Sequence, residues 1–299
     1  TKDADPCFKP QQGVDMIKIL DTTLRDGEQT SGVSFASEEK LSLARLLLED
    51  LCVDRVEVAS ALASDGEFST VKKIARWANS KGLLNKVEVL GFVDGDKSVD
   101  WIRSAGIQVM NLLCKGSLKH CAMQLGKKPE EHIADIRKTL KCAEEAGITV
   151  NVYLEDWSNG MKNSPEYVFT LVDALRDTKI RRFMLPDTLG ILNPAETAKF
   201  CTQMIERYPN FEFDFHAHND YDLAVANVFA AVQAGIDCIH VTVNGLGERA
   251  GNAPLSSVLA VLHDQLGLST NINEHEINRV SKIVETYSGV RIPSNKPVV

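Results

Sequence analysis

Eight short β-rich runs, each followed by a helical pattern, constrain this chain more than anything else in it. The runs are Ile17–Leu20, Arg55–Val58, Val87–Phe92, Val109–Leu113, Thr149–Leu154, Phe183–Leu185, Phe211–Phe215 and Cys238–Val243. Helix signals separate them. Ser37 ahead of Glu38-Glu39 predicts an N-cap with acids in the first turn. Pro129 opens a helix that stops near Gly147, and Asn193-Pro194 opens one reaching about Arg207. Ser164-Pro165 and Ala253-Pro254 open two more. Eight strand–helix units predict a (β/α)8 barrel. A doubly wound open sheet is the competing α/β architecture, and no G-x-G-x-x-G follows the first strand to support it.

The sequence divides into an N-terminal extension (1–16), a barrel (17–270) and the beginning of a C-terminal subdomain (271–299). Within that subdomain a helix over Asn273–Tyr287 precedes an extended tail from Arg291 to Val299. The chain of 299 residues begins at Thr1, as in a processed chain or a piece of a longer one.

Composition narrows the partners. Thirty-three Lys and Arg against 41 Asp and Glu give a net charge of −8, which argues against a nucleic-acid surface. No segment has the length of apolar sequence a membrane helix needs, and no apolar signal core opens the chain. Seven scattered cysteines without a C-x-x-C pair read as reduced core filler, hence a cytoplasmic protein.

Barrel enzymes carry their chemistry at the C-terminal ends of the strands, and polar residues gather there. Strand seven ends in His216-Ala217-His218-Asn219-Asp220. Residues i and i+2 on a strand share a face, so both imidazoles can reach one metal from inside the barrel. Alone the pattern fits two unrelated polar residues equally well. A carboxylate from another strand end strengthens it, because such N/O sites suit Zn²⁺ or Mn²⁺. Arg25-Asp26 supplies that carboxylate, together with a guanidinium able to stabilise an alkoxide. The glycine-rich stretch Asn244–Asn252 offers backbone N–H donors to a ligand, or is simply a tight turn with Glu248–Arg249 as a solvated pair. His240, Cys114, Trp77 and Trp101 read as packing residues.

Three motifs carry a resemblance. Leu24-Arg25-Asp26-Gly27-Glu28-Gln29, ten residues and then Lys40, resembles the first signature of the 2-isopropylmalate, homocitrate and citramalate synthases of the DRE-TIM metallolyase superfamily. His216–Asp220 resembles their second, and Asn244–Asn252 their strand-eight loop. Tyr153–Gly160 is most similar to a bacterial (R)-citramalate synthase branch. The resemblance implies a barrel enzyme that condenses acetyl-CoA with a 2-oxo acid and hydrolyses the thioester. It implies Asp26, His216 and His218 as metal ligands, Asn252 as a fourth contact, and Arg25 on the keto oxygen. Glu155 and Thr188 would hold the 2-oxo acid and nearby water. Zn²⁺ or Mn²⁺ is the expected metal, with Mg²⁺ a third candidate, and a homodimer is the expected assembly. Asp222 departs from the pattern, standing where the second signature has Gly, and is expected at the next helix N-terminus. The family's proposed base, a His in a downstream subdomain, matches none of His120, His132, His240, His263 or His275.

Leu90, Leu113 and Tyr153 near strand ends are candidate pocket walls, with barrel packing as their alternative role. Bulky apolar walls suit pyruvate, making citramalate the expected product and 2-isopropylmalate, from 2-oxoisovalerate, the alternative. Lys115 is the one cation placed for a distal carboxylate such as that of 2-oxoglutarate. A related metal lyase of 3-hydroxy-3-methylglutaryl-CoA and a non-catalytic metabolite binder are the rival functions.

Overall fold

The computed structural model describes residues 16–293, so Cys7 and most of the expected N-terminal extension and C-terminal tail lie outside the described residues. In chain order the elements are β1 (Lys18–Asp21), α1 (Ser37–Arg45), β2 (Arg55–Ser60), α2 (Asp65–Ser80), β3 (Val87–Phe92), α3 (Lys97–Ala105), β4 (Val109–Lys115), α4 (Leu118–Gln124), α5 (Pro129–Glu145), β5 (Thr149–Glu155), α6 (Trp157–Asn163), α7 (Pro165–Asp173), β6 (Arg182–Asp187), α8 (Pro194–Arg207), β7 (Glu212–Ala217), α9 (Ala224–Gln233), β8 (Cys238–Val241), α10 (Leu255–Leu266) and α11 (Ile277–Ser288).

The strands form one closed parallel barrel in sequence order. Closure is made by β1 on β8, with Lys18 opposite Cys238 and Asp21 opposite Val241. The open sheet is thereby excluded. Every strand of a parallel barrel points the same way, so all eight C-terminal ends meet at one mouth.

Period two sorts the strand residues into two cores. Outward side chains such as Val56, Val89, Leu112, Val152, Phe183, Phe215 and Ile239 join the helices in the large apolar core. Inward side chains are of two kinds. Leu20, Leu90, Tyr153, Met184 and Cys238 form a small separate apolar cluster. The rest are polar, and fully buried polar groups must find partners inside the barrel. Arg55 reaches Glu88 on β3 (3.1 Å) and Asp214 on β7 (2.5 Å). Asn151 donates to Asn111 (2.9 Å), which donates to Glu57 (2.8 Å).

Helix boundaries follow local chemistry, with one correction. Asn193 caps α8 through Glu196 N–H (2.9 Å), as its sequence predicts. Ser37 is instead the first residue of α1 rather than its cap. The cap is Ala36, whose N–H is taken by the Glu39 carboxylate (2.7 Å), and Ser37 Oγ accepts from Thr70 on α2 (2.9 Å). Ser117 likewise caps α4, its hydroxyl accepting the His120 N–H (3.1 Å).

Lys40 of the first signature is only 1% exposed. Its ammonium is gripped by Glu28 (2.6 Å), from the loop after β1, and by Glu67 of α2. Replacing Lys40 with Met should destabilise the chain by about 3 kcal/mol, because two partly buried carboxylates then lose the buried cation they share. Urea unfolding of the variant measures it, and an unchanged midpoint would show the pairing to be energetically idle.

His132 of α5 accepts the backbone N–H of Lys115 through Nε2 (3.0 Å) at the end of β4. Burial is the main cause that pushes its imidazole down to about 4. Between about pH 6.5 and 4 the unfolded chain binds the proton that the folded chain refuses, so stability should fall as pH drops through that window. Denaturant midpoints across this range should fall less steeply for His132→Gln.

Candidate active site

The site is assembled from six strand ends. Arg25 and Asp26 follow β1, Leu90 is in β3, Leu113 in β4, and Tyr153 and Glu155 in β5. Thr188 follows β6, His216 closes on the mouth from β7, and His218 comes just after it. Nine of the ten residues singled out in the sequence line one cavity of about 200 Å³ at the mouth. The tenth, Asn252, is buried in the loop after β8 and bridges to His218.

Arg25 is held from two sides. Its Nε donates to Glu57 (2.6 Å) and its Nη1 to Asp26 (3.1 Å), while the guanidinium lies 5.8 Å from the Tyr153 ring centroid. Glu57 is fully buried on β2 and also accepts from Thr22 (2.9 Å) and Asn111 (2.8 Å). Burial is the strongest single influence and would raise both carboxyls, but the Arg25 charge and the hydrogen bonds each carboxylate accepts together outweigh it and hold Asp26 and Glu57 below their usual range. The two groups therefore stay ionised inside the barrel.

Asp26 Oδ2 lies 3.2 Å from His216 Nε2 and 3.8 Å from His218 Nε2, and the two Nε2 atoms are 3.2 Å apart. Donor atoms that share one cation at roughly 2.0–2.2 Å stand about 3–3.6 Å from each other. The triangle is thus close to that of ligands on a single metal. Burial pushes both imidazoles down, His218 to about 4, so both present neutral nitrogen lone pairs at neutral pH. Two neutral imidazoles facing through Nε2 can make at most one hydrogen bond between them, whereas a cation satisfies both. Asp26 Oδ1 and Asn252 Oδ1 are also buried without a hydrogen-bond partner, and the bond from the Asn252 amide nitrogen to the Leu246 carbonyl (3.0 Å) fixes which way that amide points. One carboxylate, two imidazoles and an amide oxygen fit Zn²⁺ or Mn²⁺ better than a thiolate-seeking metal.

A second trio among the described residues, Asp214, Cys238 and His240, is equally compact. A guanidinium already fills it. Arg55 Nη2 lies 2.5 Å from Asp214 and 2.9 Å from Cys238 Sγ, and burial pushes the Cys238 thiol up to about 12, so it offers no thiolate.

The glycine-rich loop corrects one expectation. Its glycine N–H groups do not face a ligand: Gly245 donates to Thr242 (3.3 Å), Gly247 to Thr30 (2.7 Å) and Gly251 to Glu248 (2.8 Å). Glycine is needed for close packing. A Cβ on Gly251 (φ 86°) would stand 2.0 Å from the Gly245 oxygen, and one on Gly247 (φ 154°) 2.2 Å from the Asn252 amide. Arg249 is more than a solvated charge. It binds Asp220 with two nitrogens (2.8 and 3.0 Å) and the Thr188 carbonyl (2.7 Å), tying together the loops after β6, β7 and β8.

Asp222 stands at the entry to α9, directly before its Leu223 cap, in a left-handed turn (φ 57°), exposed, and accepts from Asn219 (3.0 Å). A glycine suits that backbone, and Asp is among the residues that tolerate it. Glu155 is paired with Lys115, and Thr188 Oγ accepts the Asp156 N–H (2.8 Å). Cys114 is buried, with its thiol pushed far up by burial, as its packing role requires. Glu57 was not among the sequence candidates. Its signal was a carboxylate at an inward position of an apolar strand, Arg55-Val56-Glu57-Val58.

The chain is thus a parallel (β/α)8 barrel with a carboxylate–imidazole trio, able to hold a metal ion, at its C-terminal mouth. The chain belongs to the HMGL-like family, whose model matches residues 16–284. A protein assigned as an (R)-citramalate synthase in Methanopyrus kandleri is 37% identical over 99% of this chain. The chain spans 55% of that relative's length. One assigned as a 2-isopropylmalate synthase in Ignicoccus hospitalis is 36% identical, covering 95% of this chain and 69% of its own. A homocitrate synthase of Saccharolobus islandicus is 34% identical, covering 95% and 60% respectively. Among solved structures, the hydroxymethylglutaryl-CoA lyase of Pseudomonas aeruginosa superposes with a TM-score of 0.77 at 18% identity, covering 94% of this chain and 96% of the lyase. At that identity the likeness is one of fold.

His216→Ala and Asp26→Asn should each weaken divalent-metal binding by about a hundredfold or more, since even outer partners of ligands are worth 10–100-fold. Metal content after equilibrium dialysis measures this, and retention by either folded variant would remove that residue from the ligand set.

Proposed function

We propose that this chain is the catalytic barrel of a synthase that condenses acetyl-CoA with a small 2-oxo acid, with pyruvate as that acid and citramalate as the product. The observation that carries the reading is the juxtaposition, on one cavity, of the Asp26–His216–His218 trio, the Arg25 guanidinium and an apolar wall.

Asp26, His216 and His218, with Asn252 Oδ1 beside them, would hold a divalent cation, Zn²⁺, Mn²⁺ or Mg²⁺, which supplies Lewis-acid polarisation and a template for the 2-oxo acid. The remaining work belongs to the chain. Glu57 fixes the Arg25 guanidinium before substrate arrives, so little reorganisation is needed when charge grows on the keto oxygen. Arg25 donates to that oxygen as the acetyl carbon attacks. Glu155 and Thr188 at the rim orient the acid and the hydrolytic water. We assign proton removal from the acetyl methyl group to a base outside the described residues.

Two features support a small acid. Leu90 and Tyr153 are buried and, with Leu113, give the wall no cation. Lys115, the one candidate for a distal carboxylate, is engaged by Glu155. The identity to the Ignicoccus hospitalis relative keeps 2-isopropylmalate synthesis from 2-oxoisovalerate as the second reading. A cytoplasmic homodimer belongs to the same proposal. Among the described residues the cysteines are unpaired, and no helix is long and apolar enough to cross a membrane.

Calorimetry on the chain loaded with Zn²⁺ or Mn²⁺ should show pyruvate binding that chelation abolishes, and weaker binding of 2-oxoisovalerate. Leu113→Ala should narrow that gap about tenfold, the scale of a methylene in an apolar pocket. Tighter binding of 2-oxoisovalerate by the unaltered chain would move the assignment to isopropylmalate synthesis.

A further inference from the structure

Tyr153 lines the cavity, yet it carries a hydroxyl. That hydroxyl does not serve the cavity: it contacts His240 Nδ1 on β8 at 2.9 Å, across the barrel from β5. His240 Nε2 in turn contacts Asp214 Oδ2 on β7 at 3.0 Å, and Asp214 is clamped by Arg55 of β2 at 2.5 Å. All four side chains are buried. An ionised Asp214 only accepts, so His240 carries its hydrogen on Nε2, and a neutral ring leaves Nδ1 to accept the Tyr153 O–H. Burial favours that neutral ring. The chain of bonds is directional, running from Tyr153 through His240 to Asp214, with Arg55 anchoring the far end. Its effect is to turn the phenol oxygen inward and leave the ring edge and face toward Arg25 and the cavity, in edge contact with His216 at a centroid distance of 6.0 Å.

We propose that His240, which does not line the cavity and meets the trio only by an edge contact with the His216 ring (centroids 5.5 Å apart), is a positioning residue for substrate selectivity: it locks Tyr153 so that the pocket wall is an aromatic surface and not a hydroxyl. The inference rests on the proposed 2-oxo acid site and adds its specificity device. A buried hydroxyl left without a partner is costly, so loss of the acceptor drives the phenol toward the nearest water, which is in the cavity. The wall then becomes polar and recedes, and discrimination by size weakens.

The test compares pyruvate with 2-oxobutyrate, which is longer by one methylene, by calorimetry on the metal-loaded chain. The unaltered chain should prefer pyruvate by about ten- to a hundredfold. His240→Leu should cut that preference at least fivefold, and adding Tyr153→Phe in the same chain should restore it, because no hydroxyl then needs a partner. A merely structural histidine gives no such rescue. Imidazole ¹⁵N shifts of the metal-free chain supply a second readout and should show His240 protonated at Nε2. If the unaltered chain discriminates and His240→Leu discriminates equally, or if the double variant is no better than His240→Leu alone, the inference fails while the 2-oxo acid site stands. If the unaltered chain binds neither acid in a metal-dependent way, the site reading fails and takes the inference with it. Protonation at Nδ1 would reverse the chain of bonds and also overturn the assignment.

Discussion

A charge enclosed in a barrel cannot be left alone, and the Arg25 guanidinium shared between Glu57 and Asp26 is the instance on which this site depends. Taking one cation and two carboxylates out of water is costly, and only mutual pairing with further hydrogen bonds offsets it. Glu57 receives those bonds from Thr22 and Asn111, and Asp26 looks toward two imidazoles. The result is a net negative pair around one fixed cation, with the surplus charge aimed at His216 and His218. A divalent ion there would complete the electrostatics as well as the coordination.

The barrel repeats this logic one layer deeper. Arg55, Glu88, Asp214 and His240 come from four strands and pair across the axis, and Arg182 adds a second cation 3.7 Å from Asp214. That layer holds the same residue types as the mouth, including an Asp and a His close enough to share a metal. What separates the two layers is the guanidinium. In the deeper layer it sits between the acid and the thiol, while at the mouth it binds the acid from one side and leaves the imidazole face open. Residue type alone does not separate a structural layer from a reactive one.

The strands were legible because each alternates inward and outward side chains between turn signals, and closure into a barrel follows from counting eight of them. The grouping of Asp26 with His216 and His218 was legible because the two histidines are two residues apart at the end of one strand and the aspartate follows the end of another. Glu57 was not, since its importance lies in reaching Arg25, 32 positions earlier in the chain, and sequence spacing carries no such distance. Lys40 belonged to a motif whose physical reason appears only when α1, α2 and the loop after β1 meet. The loop after β8 misled in another way. Glycines admit a close approach to ligand or to the loop's own backbone, and here Gly245 and Gly251 approach each other. Asp222 shows the same limit, because a backbone angle that glycine would advertise is hidden when an aspartate adopts it.

The central claim is that Asp26, His216 and His218 are three ligands of one cation. Anomalous diffraction from crystals of the chain grown with Mn²⁺, and separately with Zn²⁺, tests it most directly. The account expects a single strong peak within about 2.0–2.3 Å of Asp26 Oδ2 and both Nε2 atoms, with the Asn252 oxygen turned toward it. A peak at Asp214, Cys238 and His240 instead, or no peak between the two histidines at saturating metal, would contradict it.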